Sequence, residues 1–241
     1  MKHTNNWKPS KFQIKSGSLF PSVSSVSNSY RMASYIAFFY NYAIPKFVKG
    51  SLLDLGCGNV PLYKFYKDKV QNITCVDWAS SLHNLEHLDI SCDLNQNLPI
   101  ASDSFDIVIC SDVLEHIKDP FNLFKEINRV LKPGGYLLLN YPFIYGIHED
   151  PHDYLRYTEY FIRDLTKTFE LEVVECFRFG NLIDILEHVV VRILDRIRFT
   201  KPISFLWCKL FIPSMRALFN SRMKLNNTHP YLYAFVIQKP F

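Results

Sequence analysis

Short apolar segments alternate with amphipathic ones along most of this chain, and this order constrains the fold more than any other feature. Nearly continuous apolar runs predict strands, and apolar residues at helical spacing predict the helices between them. The predicted strands cover residues 51–55, 72–78, 105–110, 136–142, 170–179 and 232–240, and the predicted helices lie near 61–69, 120–131 and 159–169. This alternation is typical of a parallel sheet covered on both faces, so we expect an α/β fold.

The length of the chain predicts one domain with an N-terminal arm. A chain of 241 residues that is 48% hydrophobic can bury a full core. Residues 1–28 are rich in Ser, Asn, Lys and Pro, so we expect an extended arm. Residues 29–241 then form the domain, which begins with one or two helices broken near Pro45. Residues 181–229 are too many for a bare loop, so we expect a helical insert there.

Cysteine usage and the N-terminus favour a cytoplasmic protein. The six cysteines show no C-x-x-C spacing, which indicates reduced thiols. The N-terminus lacks a signal-peptide pattern, and no uncharged apolar run reaches the ~18 residues that span a bilayer. We therefore expect a location in the cytoplasm.

The stretch LLDLGCG ends the first predicted strand of the sheet in Gly56 and Gly58. Bare backbone at such a corner lets a ligand approach closely. No glycine follows at the spacing that a dinucleotide pyrophosphate requires. Asp77 ends the next strand, where a carboxylate can accept both hydroxyls of a ribose, and Asp93 precedes the strand after it. The alternative is that each acid only caps a helix or shapes a turn.

At these residues the chain resembles the class I S-adenosylmethionine-dependent methyltransferases. The similarity runs in order through LLDLGCG, VDW, CDLNQNLPIASDSFDIVICSDVLEHIKDP and EINRVLKPGGYLLLNYP. It implies a Rossmann-like sheet of seven strands with an antiparallel last strand, and S-adenosylmethionine as cofactor. It also implies cofactor contacts from Asp54, Gly56, Cys57, Gly58, Asp77, Trp78, Asp93, Leu94, Ser111, Asp112 and Val113. The chain departs from the common G-x-G-x-G pattern, because Asn59 and Val60 stand before and at the third glycine position.

The loop after the strand at 136–142 carries the residues that we expect to act on the methyl acceptor. His148 or His152 would be the general base, since an imidazole takes up a proton near neutral pH. Arg156 would bind a phosphate or carboxylate of the acceptor through its planar guanidinium. The alternative is that each histidine only hydrogen-bonds loop backbone.

HEDPH, residues 148–152, satisfies the H-E-x-x-H pattern of zinc proteases. Pro151 interrupts the helix that this motif requires, at a cost of ~3 kcal/mol. No third ligand follows at a suitable spacing, so we predict no metal.

PFIYGIHEDPHDYLRYT and GCGNVPLYKF resemble a methyltransferase subgroup linked with bacterial cell-surface polysaccharide biosynthesis. This similarity implies O-methylation of a sugar or a lipid-linked glycan intermediate. A quinone-like or other lipid acceptor is the alternative. Two other hypotheses remain: a cofactor-binding partner without turnover, and a membrane-associated scaffold.

The insert at 181–229 concentrates positive charge. From Arg192 to Lys224, eight Lys or Arg residues face the single acid Asp195, whereas the whole chain has a net charge of +4. An apolar and basic segment can bind the anionic inner face of a membrane, and we expect peripheral membrane contact there. A lid over the active site and a dimer interface are the alternatives. A nucleic-acid partner ranks last, because no RNA-binding motif is present.

Overall fold

A seven-stranded sheet lies at the centre of the computed structural model, which describes residues 11–22, 30–79, 87–196 and 229–241. The strands are β1 Phe12–Lys15, β2 Ser18–Pro21, β3 Ser51–Leu55, β4 Asn72–Asp77, β5 Ile90–Ser91, β6 Phe105–Ser111, β7 Leu131–Pro142, β8 Glu172–Phe179 and β9 Leu232–Gln238. The helices are α1 Tyr30–Phe47, α2 Tyr63–Tyr66, α3 Pro120–Val130, α4 Glu159–Thr168 and α5 Leu182–Arg196. Strands β1 and β2 form a separate hairpin.

The large sheet has the order β5-β4-β3-β6-β7-β9-β8. Strands β5, β4, β3, β6 and β7 run parallel to one another, and β9 is antiparallel to both β7 and β8. The expected α/β architecture with an antiparallel last strand is therefore confirmed. The parallel arrangement brings the carboxyl ends of β3, β4 and β6 to one edge of the sheet.

Alternate residues of the central strands pack into two separate cores, one on each face of the sheet. Leu52 packs with α1 on one face, and its neighbour Leu53 packs with α3 on the other. A strand buried on both sides reads as a continuous apolar run, which is why the sequence predicted these strands.

Two strands differ from the sequence prediction. β5 has only two residues, too few for a recognisable apolar pattern, and it supplies the seventh strand. β7 begins at Leu131, five residues before the predicted start at 136, because the KPGG segment pairs with β6 through a bulge. A side chain at Gly135 would come within 3.0 Å of the Asp106 carbonyl oxygen, so the bulge requires glycine there.

The predicted arm at 1–28 contains an ordered hairpin where the structure describes it. In residues 11–22, the side chains of Phe12 and Leu19 are buried in the core beside α1. Asn41 of α1 accepts a hydrogen bond from the Leu19 N–H at 2.7 Å and donates one to the Leu19 carbonyl at 2.9 Å. Two buried apolar residues, one on each strand, anchor this short hairpin. Two such residues in a polar segment are too few to predict strands from the sequence. Residues 1–10 and 23–28 lie outside the described ranges.

The leading segment forms one helix, within the one or two that were predicted, but the break expected near Pro45 is wrong. α1 continues through Pro45 and ends at Phe47. The beginning of the expected insert is α5, and residues 197–228 lie outside the described ranges. Among the helices described, none is long and apolar enough to cross a membrane. The five cysteines in these ranges are free thiols.

Candidate active site

Two neighbouring cavities open where β3, β4 and β6 end. The larger cavity has a volume of about 410 Å³ and the smaller about 200 Å³, and both are lined by Gly56, Asp112 and Glu149. Because parallel strands end at this edge, their terminal residues surround a common crevice, as in other open α/β sheets. The two cavities form the candidate site.

The glycine corner forms the wall between β3 and the cavities. Gly56 has a φ of +66°, and a Cβ there would lie 2.3 Å from a methyl carbon of Val113. A hydrogen bond to β4 fixes the corner, because the Gly56 N–H donates to the Val76 carbonyl at 2.8 Å. Residue 56 must therefore be glycine, for both its backbone conformation and its contact with Val113.

Val60 occupies the position of the third glycine in the common pattern. Its φ is +44°, and its side chain is fully buried. The backbone thus keeps the left-handed conformation that glycine would allow, although a β-branched residue rarely adopts it. The corner retains its turn in spite of the departure in sequence.

The acids that end or follow β4 line the smaller cavity. It is lined by Asp77 and Trp78 at the end of β4 and by Asp93, Leu94 and Val113 from the next two loops. Asp77 Oδ2 accepts the Gly58 N–H at 2.8 Å, and Oδ1 accepts the Trp78 N–H at 2.8 Å. These bonds fix the carboxylate and leave further lone pairs on both oxygens. Asp77 and Asp93 therefore face a common cavity.

The larger cavity contains Asp54, Cys57, Gly58 and Ser111. Asp54 is 4% exposed and accepts a hydrogen bond from the Tyr66 hydroxyl at 2.7 Å. Burial raises the pKa of Asp54 to about 7; the Tyr66 bond lowers it and the charge of Asp77 raises it. This carboxyl therefore titrates near neutral pH, which is unusual for aspartate.

Asp112 lies between the two cavities and is held by side chains from three elements. It has a φ of +53° and forms an ion pair with Lys11 beside β1. Asn140 of β7 donates to Asp112 Oδ1 at 2.7 Å, and Tyr40 of α1 donates to Asn140 Oδ1 at 2.8 Å. Sequence reasoning missed Lys11, Tyr40 and Asn140, because contacts between residues 28 to 101 positions apart leave no local pattern.

Glu115 and His148 meet in the larger cavity. Glu115 is fully buried, and its Oε1 lies 3.5 Å from His148 Nε2. Burial raises the pKa of the Glu115 carboxyl, whereas His148 lowers it. Burial alone would lower the pKa of His148, but Glu115 and Asp153 outweigh this effect and raise it.

His152 and Arg156 do not join His148 in the larger cavity. His152 lines the smaller cavity, where its ring lies 4.6 Å from that of Trp78. Arg156 lines neither cavity; its Nη2 donates to Asp153 Oδ2 at 2.7 Å. Asp153 in turn accepts the His148 backbone N–H at 3.0 Å. Arg156 thus fixes the loop that carries His148, because this chain's own carboxylate occupies its guanidinium.

Three side chains at this point are close enough to share a metal ion. Ligand atoms of Glu115, His116 and His148 all lie within 4.8 Å of one another. The H-E-x-x-H pattern does not produce this cluster, since residues 148–152 are not helical and His152 is absent from it. His116 comes instead from the turn after β6.

Comparisons with known proteins match the central part of the chain to methyltransferases. Residues 53–139 match the methyltransferase domain family. The ubiquinone biosynthesis O-methyltransferase of Hydrogenovibrio crunogenus is 30% identical over 100 residues, which are 37% of this chain and 42% of that protein. The thiol S-methyltransferase TMT1B of Rattus norvegicus is 33% identical over 99 residues, 36% of this chain and 40% of that protein. The chain thus covers less than half the length of these curated relatives.

A structural likeness extends over more of the chain. A SAM-dependent methyltransferase from Archaeoglobus fulgidus superimposes with a TM-score of 0.57 at 16% identity, covering 88% of this chain and 97% of that one. At this identity the likeness concerns the fold. The chain has the Rossmann-like fold of methyltransferases, and its residues 53–139 match their domain family.

Proposed function

We propose that this protein transfers a methyl group from S-adenosylmethionine to a small-molecule acceptor. One observation carries the proposal: Asp77 and Asp93 face one cavity beside the glycine corner, and this cavity adjoins a second one that contains an acid–base cluster. The first cavity suits an adenosyl group and the second suits the methionine end together with the acceptor.

The residues present fit this cofactor. Asp77 keeps lone pairs for two ribose hydroxyls, and Trp78, Leu94 and Val113 offer apolar surface to an adenine ring. Asp54 places a titratable carboxyl near the position of the cofactor's ammonium group. When bound, the cofactor supplies a methyl group on a positively charged sulfur. The chain has to bind and orient both molecules and to exclude water.

We assign activation of the acceptor, by removal of its proton, to the cluster around His148. His148 and Glu115 line the larger cavity, whereas His152 and Arg156 do not. We therefore retain His148 from the predicted catalytic set and assign Arg156, through Asp153, to positioning its loop. Tyr145 lines the same cavity and offers a flat ring against which a sugar or a quinone-like ring can pack.

We further propose O-methylation of a lipid-linked sugar. α5 packs on the loop that lines the acceptor cavity: His188 stacks on Tyr145 at 4.6 Å between ring centres, and Arg192 Nη2 donates to the Ile147 carbonyl at 3.3 Å. The other side of α5 carries an exposed apolar stripe, formed by Leu182, Leu186, Val189 and Ile193. A helix of this kind can lie in a membrane interface and bring the site close to an acceptor held there. A quinone-like lipid is the second candidate, favoured by the name of the relative from Hydrogenovibrio crunogenus.

Calorimetric titration with S-adenosylhomocysteine tests the proposed cofactor site. We expect one molecule to bind per chain, and Asp77→Asn to weaken binding about 10- to 100-fold, because a hydrogen bond to a charged group contributes about 1.5–3 kcal/mol. Asp68→Asn is the control, because this carboxylate is 82% exposed and lines neither cavity. The variant should bind S-adenosylhomocysteine with the affinity of the wild type. Failure of the wild-type protein to bind would remove the proposal. Binding without methyl transfer to any sugar, quinone or lipid acceptor would favour a non-catalytic partner.

A further inference from the structure

The side chain of Glu115 is fully buried, and a potential donor, His148 Nε2, lies 3.5 Å from its Oε1. Neither carboxylate oxygen accepts a hydrogen bond from any residue in the described part of the chain. A buried carboxylate without a partner costs several kcal/mol, so native sites normally supply a compensating cation or donor. The surroundings of Glu115 show what kind of cation fits.

The two histidines beside Glu115 direct lone pairs at it. His116 Nδ1 lies 2.8 Å from the His152 carbonyl oxygen, which can only accept, so this nitrogen carries the proton. His148 Nδ1 lies 3.3 Å from the Gly146 carbonyl and 3.3 Å from Asp153 Oδ2, which are also acceptors. In the neutral rings Nε2 is then the bare nitrogen, at 3.8 Å for His116 and 3.5 Å for His148 from Glu115 Oε1.

The three atoms lie farther apart than the atoms of a direct hydrogen bond. Protonated His148 would bond to Glu115 at about 2.7–2.9 Å, the usual length of a charge-assisted hydrogen bond. The observed 3.5 Å is longer, and His116 Nε2 lies 3.8 Å from Glu115 Oε1 and 3.9 Å from Glu149 Oε2. Three ligand atoms around a tetrahedral ion with bonds of about 2.0–2.1 Å lie about 3.3 Å apart. The two distances to Glu115 Oε1, 3.5 and 3.8 Å, are close to this value, and all three atoms lie within 4.8 Å of one another.

We infer that Glu115, His116 and His148 bind a divalent transition-metal ion of the Zn²⁺ type. Two imidazoles and a carboxylate are a ligand set of catalytic zinc sites, which keep a further position open. The outward Nδ1 bonds to a carbonyl and a carboxylate are the second-shell contacts that such ligands make. Glu115 and His148 line the larger cavity and His116 lines the smaller one, so an ion held by the three would lie next to the space for the acceptor.

This inference rests on the proposed function and gives the His148 cluster a definite role. The ion would bind an oxygen or sulfur atom of the acceptor and favour its deprotonated form, so that His148 acts as a ligand rather than as the base. The chemical class of acceptor is then one with a hydroxyl or thiol that can reach a metal. The prediction from the sequence that no metal is bound would be wrong.

Titration of chelator-treated full-length protein with Co²⁺ tests the site directly. We expect saturation at one ion per chain with the visible absorption of a four- or five-coordinate cobalt ion, and displacement of Co²⁺ by Zn²⁺. Glu115→Gln and His148→Gln should each weaken binding by about 100-fold or more, since loss of even a second-shell partner costs 10- to 100-fold. His152→Gln is the matched control, because it lies in the same loop and its backbone carbonyl still accepts from His116; it should bind Co²⁺ as the wild type does.

The outcomes separate this inference from the proposed function. Absence of saturable Co²⁺ binding would overturn the metal site, as would unchanged affinity in both the Glu115 and His148 variants. Thermal unfolding of each variant shows whether it is folded; if Glu115→Gln is not, His148→Gln decides, since its side chain is partly exposed. Metal binding without affinity for S-adenosylhomocysteine would support the site and contradict the proposed function. Binding of S-adenosylhomocysteine without metal binding would support the proposed function and contradict the metal site.

Discussion

At the scale of single residues, Asp54 shows how burial gives an ordinary side chain a role near neutral pH. The carboxyl lies next to the glycine corner, where burial, together with the charge of Asp77 and against the hydrogen bond from Tyr66, raises its pKa to about 7. Because this pKa is about 7, the neutral carboxyl predominates below pH 7 and the carboxylate above it. A cationic group of the cofactor would favour the carboxylate.

We therefore predict that affinity for S-adenosylmethionine rises about tenfold between pH 6 and pH 8. The factor follows from a group with a pKa of about 7 that must be ionised to bind. Asp54→Asn should bind more weakly and lose this dependence, whereas Asp68→Asn should keep it. Calorimetric titrations at both pH values provide the measurement. An equal pH dependence in the Asp54 variant would assign it to another group.

The residue scale also shows where sequence reasoning stops. Asp54 and Asp77 could be predicted near the crevice, since they lie at the ends of strands that the apolar pattern shows, whereas Asp93 was noted only as an acid before the next strand. Arg156 was expected to bind the acceptor, but it pairs with Asp153, three positions away, and does not line either cavity. Conversely, Lys11 reaches Asp112 from the N-terminal hairpin. Neither pairing has a signature in the sequence, because both depend on how loops fold back on the sheet.

At the scale of secondary-structure elements, α5 differs on its two sides. Its buried side carries Asp184 and Glu187, which accept hydrogen bonds from Tyr35 and Arg31 of α1. Its exposed stripe, Leu182, Leu186, Val189 and Ile193, has side chains that are 43–56% exposed. An apolar stripe of this kind on a helix is typical of an interaction surface. The residues that follow, 197–228, carry six Lys or Arg residues and no Asp or Glu, which suits an anionic membrane.

We predict that the protein floats with vesicles containing phosphatidylglycerol and less with vesicles of phosphatidylcholine alone. Leu186→Glu combined with Ile193→Glu should reduce binding roughly tenfold or more, since each side chain loses about 1 kcal/mol of apolar contact and adds a negative charge. Val174→Glu changes a residue of β8 that is 44% exposed, and should float as the wild type does. Unchanged flotation of the double variant would exclude the stripe as a membrane contact. If the wild-type protein is a dimer and the double variant a monomer, the stripe is instead the interface with a second copy of the chain.

Elements also differ in how well the sequence predicts them. The long, doubly buried strands β3, β4, β6 and β9 could be placed within two residues, because burial on both faces produces unbroken apolar runs. The two-residue β5 and the bulge at the start of β7 were missed, since pairing with a neighbour rather than local sequence defines them. The hairpin at 11–22 was missed for the same reason.

At the scale of the whole molecule, the order of the strands determines the position of the site. β3, β4 and β6 are neighbours in the sheet and end at the same edge, so residues from 54 to 115 meet there despite their separation in sequence. The loop after β7 then brings His148 against the turn after β6. This topology could be inferred from the resemblance to methyltransferases, but the division of the crevice into two cavities required the structure.

A crystal structure of the complex with S-adenosylhomocysteine tests the central claim most directly. We predict that the ribose hydroxyls bind Asp77, that the adenine lies between Trp78 and Leu94 with its amino group at Asp93, and that the amino-acid end passes Gly56 toward Asp54. The sulfur should then point into the cavity that contains Glu115 and His148. A nucleoside bound elsewhere, or a sulfur directed away from that cavity, would contradict the account.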